Sequence, residues 1–421
     1  MYDSSSTLCD GIATWLVEQG LSDAGLPEIV RGFGRRLVAG GFPIHRVGIG
    51  SMLLDPVFGA LDISWDAQTD QLKDAIQPRA AMHSPEFQNS PYFRAAEGNV
   101  PFKRYRLDRS GSPHEFPIFD RLVGDGVTEY AIFRRDYGRR SIAFFGGLPQ
   151  DLEGAVSSFT TRRIGGFTDL EIDSLSALAS PLSLVIKART SRELTKTLID
   201  TYLGKYSGDQ VLNGLIGRGD GQPIECVIWY SDLRGSTRLA EELSMDQYLA
   251  MLNEYFDCTA GAVLDHGGEV LKFIGDAVMA IFPVEESTRP PVDMCRAAQS
   301  AATEALRKAD QINLGREQNK LPPLDFGIAL HMGQVIHGNV GTDRRLDFTV
   351  IGPAANEATR LEQLCKELQT PVIASEKFAG SHSEQLVELG SYELAGIKSA
   401  SRVYTISAYA RSHQPDRTNQ S

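Results

Sequence analysis

The chain has 421 residues, with 54 acidic against 42 basic residues and a formal net charge of -12. That length exceeds what one hydrophobic core usually organises, so two domains or slightly more are expected; the apolar content of 42% is ordinary for globular proteins. An acidic surface field repels nucleic acid and anionic lipid outside local basic patches, which argues against a nucleic-acid partner. No apolar run approaches the ~20 residues needed to span a bilayer, and no basic residue precedes Arg31, so no membrane span or signal peptide is expected and the chain reads as cytoplasmic. Cys9, Cys226, Cys258, Cys295 and Cys365 show no paired C-x-x-C spacing and read as free thiols, mostly buried. The histidines form no i,i+4 ligand pair, and strand packing explains His331 and His337, so neither zinc nor haem is expected.

Residues 1–190 read as one α+β domain. Amphipathic helices are expected around Ile12–Val17 and Ile29–Leu37, and strands at Val47–Leu54, Tyr130–Phe133 and Arg140–Gly146. Trp65, Phe116, Phe119, Tyr130, Phe144 and Phe145 are candidate pocket residues, but their spacing fits core better. Phe167-Thr168-Asp-Leu-Glu171 supplies an N-cap with an acidic residue three positions on. Ile172, Leu175, Leu178, Leu182 and Val185 then open a long helix that runs through Pro181 toward Tyr202. This order of strands, cap and long helix resembles the end of GAF-type sensor domains. The resemblance implies a regulatory domain with a ligand of unknown identity, the plainer alternative being a dimerisation domain.

Residues 191–222 read as a helical linker, broken by the turn-rich Arg218-Gly-Asp-Gly-Gln-Pro223. Over 223–410 the pattern gives strand 224–231, helix 237–264, a hairpin over 269–282 and helix 291–312. Strands follow near 325–340 and 346–351, then helix 354–368 and strands near 371 and 402. Residues 411–421 are polar throughout and read as a disordered tail.

Two stretches of this second domain carry the chemistry. Val227-Ile-Trp-Tyr-Ser-Asp232-Leu233-Arg-Gly235-Ser236-Thr237 reads as strand, turn and helix start, where free backbone N–H groups suit a polyphosphate. Leu271-Lys272-Phe-Ile-Gly-Asp276-Ala reads as a hairpin with a carboxylate at its tip. Adjacent strands would bring Asp232 and Asp276 together, and two like charges at close range call for hard cations between them. The alternative is that Asp232 caps a helix and Asp276 makes a turn. Further on, Asn356 and Arg360 stand four apart and share a helix face.

These stretches, with Arg344-Arg-Leu-Asp-Phe-Thr349-Val-Ile-Gly and the Asn356-x-x-x-Arg360 helix, resemble the class III adenylyl/guanylyl cyclases over about residues 224–408. The resemblance implies an α+β, ferredoxin-like palm that forms cyclic AMP and pyrophosphate from ATP. It implies that Asp232, Asp276 and the Leu233 position bind two Mg²⁺ or Mn²⁺ ions, and that Gly235, Ser236 and Thr237 lie along the triphosphate. Lys272 and Thr349 would read adenine, since a lysine ammonium donates to the N1 acceptor of adenine and opposes the N1–H of guanine. Asn356 and Arg360 would act on ribose and on the charge growing at phosphorus. A homodimer with shared active sites is likewise implied. One departure is Ala395, where relatives carry a phosphate-binding cation; Lys398 and Arg344 are the candidate substitutes. The competing readings are a catalytically weak nucleotide-binding module and a guanylate cyclase, while the Phe-Ile-Gly-Asp-Ala hairpin lacks the motif of diguanylate cyclases.

Overall fold

The computed structural model describes residues 2–52, 58–108, 115–138, 154–396 and 400–410, in two compact units, Met1–Leu198 and Ile199–Ser421. Both are α+β. The strand expected at Arg140–Gly146, with Phe144 and Phe145, and the tail from 411 lie outside the described residues.

The first unit opens with α1 (Tyr2–Leu21) and α2 (Leu26–Ala39), both longer than the amphipathic cores read in the sequence. Strands β1 (Arg46–Met52), β2 (Phe58–Asp66) and β3 (Leu72–Pro78) follow, then short helices α3 (Pro85–Gln88) and α4 (Pro91–Glu97), each capped by a serine hydroxyl. Next come β4 (Phe102–Arg106), α5 (Pro117–Gly124), β5 (Glu129–Asp136), β6 (Gly154–Thr161) and α6 (Asp169–Leu203). The strands form one antiparallel sheet in the order β3-β2-β1-β6-β5-β4.

Strand alternation separates two cores. Val47, Ile49, Ile63, Trp65, Phe133 and Phe159 pack with apolar residues of α1, α2 and α6 on one face. Tyr130, Ile132 and Val156 pack with Phe116, Phe119 and Leu122 on the other. Trp65, Phe116, Phe119 and Tyr130 are thus core residues. The α6 cap follows the sequence reading: Glu171 N–H donates to Thr168 Oγ1 (3.3 Å) and Thr168 N–H donates to Glu171 Oε2 (2.7 Å). Fully buried Glu129 secures the approach to this cap, accepting from Phe167 N–H (2.8 Å) and Arg104 Nε (2.5 Å). The helix continues past Pro181 to Leu203.

The second unit holds α7 (Lys205–Leu212), β7 (Gly221–Leu233), α8 (Ser236–Glu242), α9 (Met245–Asp265), β8 (Glu269–Ile274), β9 (Ala277–Pro283) and α10 (Pro291–Gln318). It ends with β10 (Phe326–Thr342), β11 (Arg345–Ile351), α11 (Pro353–Glu367), β12 (Val372–Ser375), α12 (Glu376–Ser381), β13 (Leu386–Tyr392) and β14 (Ser401–Ile406). The sheet order is β13-β14-β12-β10-β7-β9-β8, with β11 folded back on β10 and only β10–β12 parallel.

Central β7 is apolar on both faces because both are covered. Val227 and Trp229 join the core beneath α9 and α10, whereas Cys226 and Ile228 pack toward Ala354, Ala355 and Ala358 of α11. Alanines at 298, 301, 302, 305 and 309 give α10 a small-residue face against the first of these cores.

Four expectations need correction. The single helix expected over 237–264 is two, because Ser244 and Gln247 form a reciprocal capping box that restarts the chain as α9. Helix α10 runs through Gly315 to Gln318 rather than ending at 312; Asn313 stays in register and exchanges hydrogen bonds with Leu324. Strand β7 begins at Gly221 inside the expected break, and Pro223 is tolerated because β9 pairs only from Cys226 onward, leaving no donor needed on that side. Strand β13 was not expected: a register shift between Glu388 and Gly390 interrupts the alternation that would reveal it.

Candidate functional site

Asp232 lies one residue before the end of β7, with Ala277 of β9 and Gly327 of β10 as its cross-strand neighbours. Asp276 immediately precedes Ala277 at the tip of the β8–β9 hairpin, where Gly275 takes φ 65° and lets the chain reverse in two residues. Sheet register therefore sets the two carboxylates side by side. Burial, followed by the charge of Asp276 and a hydrogen bond shared with it, pushes the Asp232 carboxyl up to about 6. Among the described residues, no lysine or arginine forms an ion pair with either one. Paired acids without a protein cation fit a divalent metal ion, whose charge removes the repulsion between them.

Beyond Leu233, which is buried, Gly235 adopts the left-handed conformation (φ 70°, ψ 18°) and turns the chain into α8, placing Ser236 and Thr237 in its first turn. The structure thus holds Asp232, Leu233, Asp276 and residues 235–237 in one local assembly.

A second group assembles on β8 and β11. Lys272 Nζ donates to Asp347 Oδ2 at 2.9 Å. Asp347 precedes Thr349 by two positions on β11, so the two share a face. Thr349 is 5% exposed, and its hydroxyl has no hydrogen-bond partner. Asp347 was missed in the sequence, although its period-2 spacing from Thr349 was a usable signal.

On α11, Ala354, Ala355, Ala358 and Leu361 face inward, which leaves Asn356 and Arg360 exposed together. Among the described residues, Arg360 pairs with neither Glu357 nor Glu362 and makes only a 3.4 Å hydrogen bond to Gln363. Arg344 is exposed in the β10–β11 turn. Among the described residues, no hydrogen bond or ion pair joins the aspartate assembly to Lys272, Thr349, Asn356, Arg360 or Arg344. Lys398 lies outside the described residues; Ala395 is exposed.

Glu362, on the inner face of α11, was also missed. Burial and then the charge of Asp232 push its carboxyl up to about 7, against the opposing pull of Arg234 and Lys366. Both raised values give a signed pH dependence. Above the ordinary values of 3.8 and 4.5, the unfolded chain releases protons that the folded chain still holds, so stability falls as pH rises toward and through about 6 and about 7. The melting temperature of metal-free protein should therefore drop between pH 5 and pH 8, and Mn²⁺ should restore more of it at pH 8. A pH profile left unchanged by Asp232→Asn would show that this carboxyl contributes nothing to the effect.

The family model for the adenylate and guanylate cyclase catalytic domain matches residues 221–408. The terminal-differentiation specific adenylate cyclase of Dictyostelium discoideum is 31% identical over 193 residues, which is 45% of this chain and 9% of that protein. An adenylate cyclase of Anabaena cylindrica is 31% identical over 188 residues, 43% of this chain and 36% of that one. The chain thus spans well under half the length of these relatives. Among solved structures, a bacterial light-regulated adenylyl cyclase is similar at 29% identity with a TM-score of 0.40, covering 45% of this chain and 92% of that one. Among the described residues, no helix is long and apolar enough to cross a membrane. Over residues 221–408, the unit that holds the paired aspartates is similar to the adenylate and guanylate cyclase catalytic domain.

Proposed function

We propose that the chain is an adenylate cyclase that converts ATP to 3′,5′-cyclic AMP and pyrophosphate. The observation that carries this reading is the apposition of Asp232 and Asp276, without a protein counter-charge, inside a cyclase catalytic domain. These two residues would hold Mg²⁺ or Mn²⁺, two ions per site, which would supply Lewis acidity toward the ribose 3′-hydroxyl and countercharge for the triphosphate and its pyrophosphate leaving group.

The other residues bind and orient. Lys272, held by Asp347, donates to adenine N1, and the unpartnered Thr349 hydroxyl accepts from the adenine 6-amino group. Gly235, Ser236 and Thr237 carry the N–H groups along the triphosphate, with Arg344 and Lys398 as its outer cations. Asn356 positions the ribose, and Arg360, free of any acidic partner among the described residues, stabilises charge at the reacting phosphorus. The chain acts as a homodimer in which each site is completed from two subunits, as the match to the cyclase catalytic domain suggests. The α+β unit at the N-terminus, a GAF-like sensor or dimerisation domain, regulates the enzyme through α6, which crosses from one unit into the other.

Purified full-length chain with Mn²⁺ or Mg²⁺ should release cyclic AMP and pyrophosphate from ATP, with GTP used more slowly; chromatography of the products reads both. Binding of ATP without any cyclic product would replace the enzyme reading with a nucleotide-binding module, a reading to which Ala395 otherwise lends support.

A further inference from the structure

Three residues distant in sequence meet at the start of α7. Gly204 stands at the N-cap and offers no side chain, so the acceptor comes from another element: Glu269 of β8, which is 5% exposed. Its Oε2 accepts from Tyr206 N–H, and its Oε1 accepts from Ser207 N–H (2.9 Å) and from Ser207 Oγ. Gly204 makes this approach possible, since it adopts φ 86° and a Cβ there would meet the Glu269 side chain. Ser207 Oγ also lies 3.1 Å from Nε2 of His337 on β10, a fully buried side chain. With the Ser207 proton committed to Glu269, the imidazole is the donor and Nδ1 the bare nitrogen; Nδ1 has no hydrogen-bond partner among the described residues.

The cluster touches both strands that carry the purine pair. Glu269 stands three residues before Lys272 on β8, the last strand of the sheet, and a register shift between Val270 and Lys272 interrupts the ladder to β9 at that point. His337 stacks on Tyr206 (ring centroids 5.4 Å apart) and meets Phe348 of β11 edge-on (4.7 Å). Phe348 is buried between Asp347 and Thr349, so by strand alternation its anchorage fixes the opposite face, which presents those two residues. Strands β8 and β11 do not pair with each other, and the direct hydrogen bond between them among the described residues is that from Lys272 to Asp347. The start of α7 therefore supplies a second tie between the two strands, built on a buried carboxylate whose donors are costly to lose.

We propose that Glu269, Ser207 and His337 are positioning residues for purine recognition: through α7 they fix β8 relative to β11 and so hold Lys272 and Thr349 at the spacing that one adenine ring requires. The proposal rests on the reading of Lys272 and Thr349 as the purine-contacting pair. Two groups that must meet N1 and the 6-amino substituent of the same ring tolerate little displacement, and a misplacement of about 1 Å can cost on the order of 100-fold.

Equilibrium binding of 3′-deoxy-ATP and 3′-deoxy-GTP, which lack the attacking hydroxyl and cannot be cyclised, tests it on the full chain with Mg²⁺, beside the melting temperature. Glu269→Gln should weaken 3′-deoxy-ATP binding by about 10-fold or more and narrow its preference over 3′-deoxy-GTP, because Lys272 and Thr349 no longer keep their spacing. A merely structural role lowers the melting temperature and leaves the purine preference of the folded protein as in the wild type; that result would overturn the proposal. Should Glu269→Gln fail to fold, Ser207→Ala keeps both backbone bonds to Glu269 and removes only the hydroxyl that joins it to His337. A narrowed preference in that variant supports the proposal, and an unchanged one overturns it. Lys272→Ala separates the two readings: if it too leaves the preference unchanged, the purine assignment fails and the proposal with it, whereas a lost preference in Lys272→Ala with none in Glu269→Gln or Ser207→Ala rejects only the positioning role.

Discussion

Asp276→Ala and Asp232→Ala should each lower cyclic AMP formation by at least about 10³-fold while leaving the protein folded. The ions contribute several kcal/mol to the transition state, and about 1.4 kcal/mol is a factor of ten in rate, so losing one of two shared ligands removes most of the acceleration. The fold should survive because neither side chain is a packing element. Asp276 is a hairpin-tip residue beside Gly275, whose φ of 65° makes the turn, and Asp232 is flanked in the strand by buried Ser231 and Leu233, which keep their contacts. Removing either carboxylate also relieves the repulsion between them, which after burial is the next cause that pushes Asp232 up to about 6, so the metal-free melting temperature at pH 8 should hold steady or rise. Product assay and circular dichroism together check both halves. Turnover near wild type in either variant would contradict the metal assignment, and loss of turnover with loss of fold in both would leave no support for a chemical role.

The residues that make this prediction were legible before any coordinates, and the reason is local. Asp232 ends an apolar run and Asp276 sits in a Gly-Asp reversal, so each residue announces its own strand end and turn, and sheet register does the rest. Lys272 and Thr349 were legible in the same way, as strand positions with a motif around them. Asp347 is harder: a charged residue on a strand usually faces solvent, and its period-2 spacing from Thr349 is a weak signal beside the 2.9 Å bond from Lys272. Glu362 gave no local signal at all. In sequence it follows Arg360 and Leu361 on an amphipathic helix and reads as a surface acid; its burial depends on the missing side chain of Gly327, a residue 35 positions earlier on a different element. The same distinction explains the fold. Helices with strong caps and strands with clean alternation are legible, whereas the capping box that separates α9 from α8 lies inside an apolar run that reads as one helix, and the bulge in β13 hides its alternation. Features carried by one segment could be read from it; features created by two segments meeting could not.

Mixing two inactive variants should restore activity if each site is built from two chains. In the proposed homodimer, Asp232 and Asp276 of one subunit face Lys272, Thr349, Asn356 and Arg360 of the other. Two-fold symmetry then gives two equivalent shared sites. Asp276→Ala and Arg360→Ala homodimers each carry one lesion in both sites and should be nearly inactive. A mixed dimer gathers both lesions into one site and leaves the other intact. With free exchange of equal amounts, half the dimers are mixed and each has one good site of two, so roughly a quarter of wild-type activity is expected from symmetry alone. The choice of Arg360 matters, because it is exposed on α11 and, among the described residues, bonded only to Gln363 at 3.4 Å, so its removal should not disturb the core that positions Asn356. Cyclic AMP formation measured after mixing, with mass spectrometry to establish heterodimers, decides the point. Heterodimers without recovered activity would mean that a single chain completes its own site, and Arg360 would then have to reach the aspartates of its own subunit by a rearrangement of α11.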